Sequence, residues 1–491
     1  MHVNRIVTGI LLLIVTNELV QGKEHNHNVY DTISVDSLAE TKRNTLGAVL
    51  MASGVNCGVW AFDRYIQNAD YARINFDTVK KNFKRGFVWD NDQIGTNMFM
   101  HPYHGSFYFN AARVNGFNFW QSGLFALGGS AMWEFVLENE YPSTNDIITT
   151  PIGGMALGEV THRISDLIID NRTRGWNRTG REAAVFVISP MRGLSRLING
   201  YAWHKEAVRG NDFGYIPLKI ELSIGVRSLI LNDKYRAIGI GGASEILLEY
   251  GEKYPNKSVV PYNYFRLNAS VNAQKSQPIL GGFNVIGRLF NYPLIETEKM
   301  NLNMGIFQHF NYYDSDTLST KSTKEAFKFA APASMGVGSM FSYRMCLNGE
   351  LNCEVFANGV ALGAVQSDYY NVGARDYNFA SGFNVKMGID YELRNKKIGI
   401  FLSHDYYRLY TWKGYDEGVN LKEVDPNEFD VQGDKSKTSI YFTTMKLKTK
   451  LIKEFYLTIS LLNVLRNTFY ENHDRVVTNS FEGKVLLTYR F

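Results

Sequence analysis

Glu159-Val160-Thr161-His162 sets a carboxylate and an imidazole three residues apart. On a helix that spacing brings both side chains to one face, and di-iron carboxylate proteins use it for metal ligation. Such a centre needs two Glu-x-x-His pairs and two further glutamates, and the chain offers one pair. His101-Pro102-Tyr103-His104-Gly105 supplies two more imidazoles, suited to a mononuclear metal site or to general-base chemistry. With Glu134 and Asp146 between these runs, the candidate catalytic set is His101, His104, Glu134, Asp146 and Glu159. No cofactor is identified from the pattern, although a metal ion is compatible with it and its ligands are undetermined. The structural alternative is that His101 and His104 cap a turn and the carboxylates pair with Arg113 and Arg163. Spacing yields neither a nucleophile–base pair nor a complete ligand set, so it leaves open whether the chain is an enzyme.

These residues fall where the apolar period is helical, from about Lys42 to Arg209. Leu46 to Ile66 is apolar and carries Gly54-x-x-x-Gly58. A second helix has Ser122, Ala126 and Ser130 on one stripe, which continues to Glu134 and Glu138. A third is opened by Thr150-Pro151 and carries Gly154, Gly158, His162 and Asp166, with Glu159 beside that stripe. Small residues four apart let helix backbones approach closely, so Glu134 and Glu159 would point into helix interfaces. A buried acid is costly unless paired or liganded, which is the physical reason to single them out. Beyond the third helix, Arg172, Arg174, Trp176, Arg178 and Arg181 form a basic stretch. It suits contact with anionic lipid at a membrane surface, or else arginines that cap neighbouring helix ends. Lys80 to Arg85 invites the same two readings.

From about Phe213 the period becomes two. Leu218, Ile220, Leu222, Ile224 and Val226 alternate with Lys219, Glu221, Ser223 and Arg227, and Phe383 to Leu393 repeats the pattern. Alternation over ten or more residues marks a strand with one apolar and one polar face, long enough to cross a membrane when tilted. About twelve such strands run from residue 214 to the end. The fifth, seventh, ninth and eleventh connections (the last over Asn467–Asn479) read as long and polar, and those after strands six, eight and ten as tight. That is how a barrel with both termini on one side is built; the second connection, Gly251 to Pro261, is longer than this scheme predicts. Lys219, Glu221, Arg227, Asp390 and Glu392 would face the lumen, lining a pore or pairing to fill it. The last strand alternates apolar residues up to Phe491, like the signal read by barrel-insertion machinery.

Composition agrees. The 491 residues are 45% hydrophobic and 20% charged with 43 Gly, and a mean hydropathy of -0.21 argues against many membrane-spanning helices. A net charge of +4 makes no case for nucleic acid. Residues 1–22 read as a secretory signal, with Arg5 before the apolar Ile6–Val15 run, and residues 23–41 as a flexible N-terminal segment. A helical domain would follow over 42–210 and an outer-membrane barrel over 211–491. Three cysteines cannot staple a domain of this size, but Cys346 and Cys353 flank the Asn348-Gly349 turn and could form a disulfide across a hairpin.

The run His101-Pro-Tyr-His-Gly-Ser, Asn110-Ala-Ala-Arg113, Asn115-Gly-Phe, Trp133-Glu134, Pro142-Ser143, Asn145-Asp146 and Gly153-Gly154 through Gly158-Glu159 resembles an uncharacterised bacterial family, the domain of unknown function numbered 3943. The resemblance covers about Trp89 to Arg163. It implies an α+β architecture, a transmembrane antiparallel barrel preceded by a helical segment, and marks His101, Tyr103, His104, Arg113, Glu134, Asp146 and Glu159 as its polar motif positions; His162 lies outside them. It supplies no activity. The expectation is an outer-membrane barrel in contact with outer-membrane lipid or lipopolysaccharide, its helical domain on the periplasmic side as plug, docking module or structural element. The alternative is an envelope enzyme or lipid-handling protein that uses the His/Glu/Asp cluster. The oligomeric state is not legible.

Overall fold

The computed structural model describes residues 43–206, 216–231, 236–255, 257–274, 277–315, 327–345, 349–393 and 396–491. The expected signal and N-terminal segment (1–41), Cys346 and Asn348 lie outside these. Twelve antiparallel strands close into one barrel in sequence order: β1 Leu218–Leu231, β2 Arg236–Tyr250, β3 Phe265–Ala273, β4 Leu280–Glu296, β5 Met300–Asp314, β6 Lys328–Met345, β7 Gly349–Gln366, β8 Tyr377–Leu393, β9 Ile398–Thr411, β10 Ser436–Ile452, β11 Phe455–Tyr470 and β12 Val476–Arg490. β1 pairs with β12 from Glu221↔Arg490 to Leu231↔Ser480, so no edge is left open. Even-numbered turns are short apart from residues 251–264, and the longest odd-numbered loop is 412–435. The eleventh connection is shorter than its polar sequence suggested, because Asn467 and Thr468 still pair with Val477 and Val476.

Alternation sorts the side chains. Glu221, Glu245, Arg266, Lys386, Lys446 and Lys484 face a lumenal cavity of about 650 Å3. They are cross-linked: Glu245 accepts from Lys446 and Lys484 at 2.8 Å each, Arg266 grips Glu354, and Arg490 bridges Glu221 and Glu392. Toward the odd-numbered loops the inward residues turn apolar. Phe329, Tyr407, Leu409, Ile440, Phe442 and Val464 pack into a buried layer, with the Phe329 and Tyr407 rings 4.5 Å apart. Moving an ion through a dry apolar layer carries a large desolvation cost. The protein is therefore expected to conduct no ions in planar bilayers, whereas Tyr407→Ala combined with Phe442→Ala should create a conductance; a steady current through the unaltered protein would contradict this closure.

Seven α-helices occupy the described N-terminal part: α1 Thr45–Phe62, α2 Phe76–Arg85, α3 His101–Arg113, α4 Phe119–Met132, α5 Thr144–Ile168, α6 Gly175–Ile188 and α7 Pro190–Ile198. π-helical turns extend α1 (Asp63–Gln67), precede α3 (Thr96–Met100) and extend α4 (Trp133–Leu137). Asn118 caps α4 in a capping box with Gln121, and Ser143 caps α5. Helix α5 therefore starts seven residues before Pro151, which sits inside it, rather than at Thr150-Pro151 as expected: the Ser143 cap fixes the start, and the first turns carry through the proline.

The bundle stands against the outside of the barrel, not in its lumen. Phe283, Phe310 and Tyr312 surround Phe99, with centroids 5.4, 6.1 and 5.5 Å away, while their neighbours Asn284, Asn311 and Tyr313 line the lumen. Trp89 packs on Phe379, and the outward Gln308 amide donates to the Ile152 carbonyl at 2.7 Å. Contacts run the full height of the wall. Phe119 and Arg163 meet Tyr262 and Pro261 at the even-turn end, and Asn91 meets Ala374 and Pro426 at the odd-loop end. The plug expectation is overturned for the described helices, because the outward-facing strand residues here are covered by helix rather than by lipid.

The small-residue stripes divide. Ser122, Ala126 and Ser130 are buried, as are Gly154 and Gly158, whereas a Cβ on Gly54 or Gly58 would meet nothing within 4 Å. The α1 stripe expected at an interface is exposed.

Candidate functional site

Three elements meet at the odd-loop end of the bundle. Val88 bridges to Ser143 in parallel, with Val88 N–H donating to Pro142 O at 2.8 Å and Thr144 N–H to Val88 O at 2.7 Å. This zips the loop before the Thr96–Met100 turn onto the start of α5 and sets Asp90 beside Asp146; the Asp90 N–H donates to Asn145 Oδ1 at 3.1 Å. The π-helical turn delivers His101 at the head of α3, where its N–H donates to Thr96 O. Asp146 lies in the first turn of α5, where a negative charge meets the positive end of the helix dipole.

Together these residues line a crevice of about 150 Å3 with Trp133, Glu138 and Tyr141, closed on one side by Pro426 and Asn427 of the β9–β10 loop. One ligand atom each from Asp90, His101 and Asp146 lies within 4.8 Å of the others, and His101 Nε2 is 3.9 Å from Asp146 Oδ1. Asp146 is 2% exposed, yet its Oδ1 makes no hydrogen bond. Burial, followed by repulsion from Asp146, pushes the Asp90 carboxyl up to about 6. The site gathers negative charge without a lysine or arginine in an ion pair with either aspartate among the described residues.

The five candidate residues separate in space. His101 and Asp146 share the crevice. Glu134 is adjacent but buried, its Oε2 accepting from Ser143 N–H at 2.7 Å, which holds the α5 cap in place. His104 turns into the bundle between Tyr108 and Trp133, 3.0 Å from the Tyr108 hydroxyl. Both histidines belong to α3 or its first turn, so the expected capped turn at 101–105 is instead helix with Pro102 near its start. Glu159 is thirteen residues along α5 from Asp146, about 20 Å away. There it is clamped by Arg113 (2.8 and 3.1 Å) and Arg163 (2.9 Å), the pairing weighed as the structural alternative. His162 contacts Arg192, which also binds Asp166. Asp90 was missed because nothing in Trp89-Asp90-Asn91-Asp92 distinguishes it from a solvated loop; its partner is chosen by the Val88–Ser143 bridge.

The basic stretch is only partly available to lipid. Arg178 donates to the Asp170 and Ala202 carbonyls and pairs with Glu182, and Arg181 donates to Ile168 O; both are buried at the end of α5. Lipid contact is overturned for these two, because Arg178 is occupied by carbonyls of the loops after α5 and α7 and by Glu182, and Arg181 by the last carbonyl of α5. Arg172 pairs with Asp170, Arg174 is exposed and Trp176 is 90% exposed. Cys353 is a free thiol opposite Phe341 in the β6–β7 register.

Residues 86–191 match the family described as Domain of unknown function (DUF3943). The matched residues include Asp90, His101 and Asp146 together with Glu134 and Glu159. No curated protein matches the chain. Among solved structures, the NanC porin is similar at 9% identity over 55% of this chain and 98% of that one, with a TM-score of 0.27. The toluene transporter TodX of Pseudomonas putida is similar at 10% identity over 57% and 90%, with a TM-score of 0.22. The outer-membrane channel DcaP of Acinetobacter baumannii is similar at 8% identity over 56% and 97%, with a TM-score of 0.23.

Proposed function

We propose that this protein is an integral outer-membrane component of a bacterial envelope in which the barrel is a platform, not a conduit. Its helical bundle shares the bilayer with the barrel, and the Asp90–His101–Asp146 crevice works at the lipid–water boundary, on a cationic or cation-bridged polar group of the membrane surface.

The observation that carries this is apolar surface left exposed on both the barrel and the bundle. Barrel residues Ile224, Val226, Leu461 and Val485 are exposed outward, and so are Leu46, Leu50 and Phe62 of α1 and Leu124 and Leu127 of α4. Thr45–Gln67 is long and apolar enough to cross a membrane, and at 1.5 Å per residue α5 extends about 37 Å. Exposed aromatics gather at both ends of the bundle: Tyr65, Phe76 and Phe83 at one, Trp176, Tyr201 and Trp203 at the other, as at the two faces of a bilayer. β1 begins and β12 ends on the even-turn side, which in such barrels is periplasmic. This would put the crevice outside and the Arg174–Trp176 end among inner-leaflet head groups. The bundle would then traverse the membrane instead of sitting on its periplasmic side, and Phe491 would serve the insertion machinery.

Cys57, exposed near the middle of α1, provides the test. A nitroxide on Cys57 in a Cys346→Ser, Cys353→Ser background, reconstituted into vesicles, is expected to be relaxed strongly by oxygen and weakly by a water-soluble nickel chelate. The reverse order would place the bundle in water and end this reading.

A further inference from the structure

We infer that Asp90, His101 and Asp146 bind one divalent first-row transition-metal ion, with a coordination position left open to the crevice. This deepens the reading above by naming what the crevice holds, and rests on it only for the site's role. Two independent observations meet here. The first is convergence: two carboxylates and one imidazole, carried by a loop, α3 and α5, bring ligand atoms within 4.8 Å of one another. The second is the Asp146 Oδ1 atom, on an almost fully buried side chain that lines the crevice, with no hydrogen bond. A buried carboxylate oxygen without a donor is costly, and a cation in the crevice would satisfy it.

The geometry requires little movement. A tetrahedral ion bonded at about 2.0–2.2 Å holds its ligand atoms about 3.3 Å apart. Asp146 Oδ1 and His101 Nε2 stand at 3.9 Å, and His101 and Asp90 are only half-buried, so side-chain rotation closes the difference. Asp90 Oδ1 already accepts from the Asp92 N–H at 3.1 Å, which orients that carboxylate. The donor set selects the ion. Calcium takes six to eight oxygens, whereas mixed imidazole and carboxylate ligation suits zinc, iron or manganese. Three protein ligands leave a fourth position for water or for a polar group of the surrounding membrane, as in zinc sites that do chemistry.

The experiment uses the full chain, folded in detergent, stripped with a chelator and equilibrated with Zn2+, with bound metal measured by mass spectrometry and Co2+ substituted for spectroscopy. One equivalent of zinc and the visible band of a four-coordinate cobalt site are expected. His101→Gln and Asp90→Asn, both on half-buried residues, should each weaken binding at least tenfold, and Asp146→Asn should do the same. Glu140→Gln, which removes a carboxylate that lines the crevice outside the three-ligand set, should weaken binding far less than any of these three. No bound metal in the unaltered protein, or equal binding in folded His101→Gln, would overturn the assignment. Should Asp146→Asn fail to fold, the cobalt spectrum of the unaltered protein still decides: a featureless six-coordinate spectrum counts against the site. Uptake in detergent does not depend on where the bundle sits, so this result and the Cys57 accessibilities fail separately.

Discussion

Glu159→Ala is expected to lower the stability of the helical bundle by about 3–5 kcal/mol, the range for removing one partner of a buried ion pair. Glu159 has no exposed surface, and it is the carboxylate that both Arg113 and Arg163 grip. Arg163 is itself 2% exposed and wedged against the barrel, donating to Pro261 O at 2.7 Å. Truncation removes the carboxylate between two largely buried guanidinium groups. Glu159→Gln keeps the shape but not the charge, and should cost less. Replacing Glu159, Arg113 and Arg163 together by leucine should recover much of the loss, since an apolar cluster of similar volume avoids the desolvation of all three charges. Denaturant unfolding followed by tryptophan fluorescence reads this directly, because six of the seven tryptophans (60, 89, 120, 133, 176 and 203) precede the barrel. An unchanged midpoint in Glu159→Ala would mean that the arginines reach water, against the packing described.

Gly154→Val should be nearly as damaging, through geometry alone. A Cβ at Gly154 would lie 2.6 Å from the Gly105 carbonyl carbon and 2.8 Å from its Cα, and a Cβ at Gly105 would lie 2.0 Å from Thr150 O. These are backbone atoms and cannot rotate aside, so α3 and α5 must separate. Overpacking of this kind costs about 1–3 kcal/mol or more. It should also act at a distance, because His101 rides on α3 and Asp146 on α5: zinc affinity should fall in Gly154→Val although no ligand is altered. Gly58→Val on the open face of α1 is the control, where a Cβ meets nothing within 4 Å and the change should stay within about 0.5 kcal/mol. Equal effects at Gly154 and Gly58 would mean that α1 is packed as tightly as α5.

That contrast shows where sequence reading succeeds and stops. Gly54-x-x-x-Gly58 and Gly154-x-x-x-Gly158 are the same pattern, yet one faces outward and the other meets Gly105 and Phe109. The pattern states that close approach is sterically allowed, not that a partner is present. The strands were legible because a period of two sustained over fourteen or more residues, as in β1 and β10, has few other physical solutions. What covers their apolar face was not. Phe310 and Tyr312 under the bundle carry the same chemistry as Ile224 and Val226 without it, so alternation separates wall from lumen but not helix from lipid. Within the site, His101 and Asp146 stood out as polar residues beside helix signals. Asp90 did not, because its position is fixed by a backbone bridge to Ser143, and a single isolated bridge leaves no periodicity. The distance between Asp146 and Glu159 was implicit in their spacing along one helix, and would have divided the polar set into two ends had α5 been started at Ser143 rather than at Pro151.

Gln308 carries a consequence for biogenesis. Its side chain leaves the wall on the outward face, where a strand in contact with hydrocarbon would carry an aliphatic group, and it is satisfied by the Ile152 carbonyl and the Tyr262 hydroxyl. A barrel that reached the membrane without its helices would present that amide, with Tyr262 beside it, to acyl chains that offer no hydrogen bond. The helices supply the one acceptor that amide has on the outward face among the described residues. Docking of the amino-terminal region before strand closure, or during it, would spare the barrel that cost, which ties one glutamine to the order of assembly.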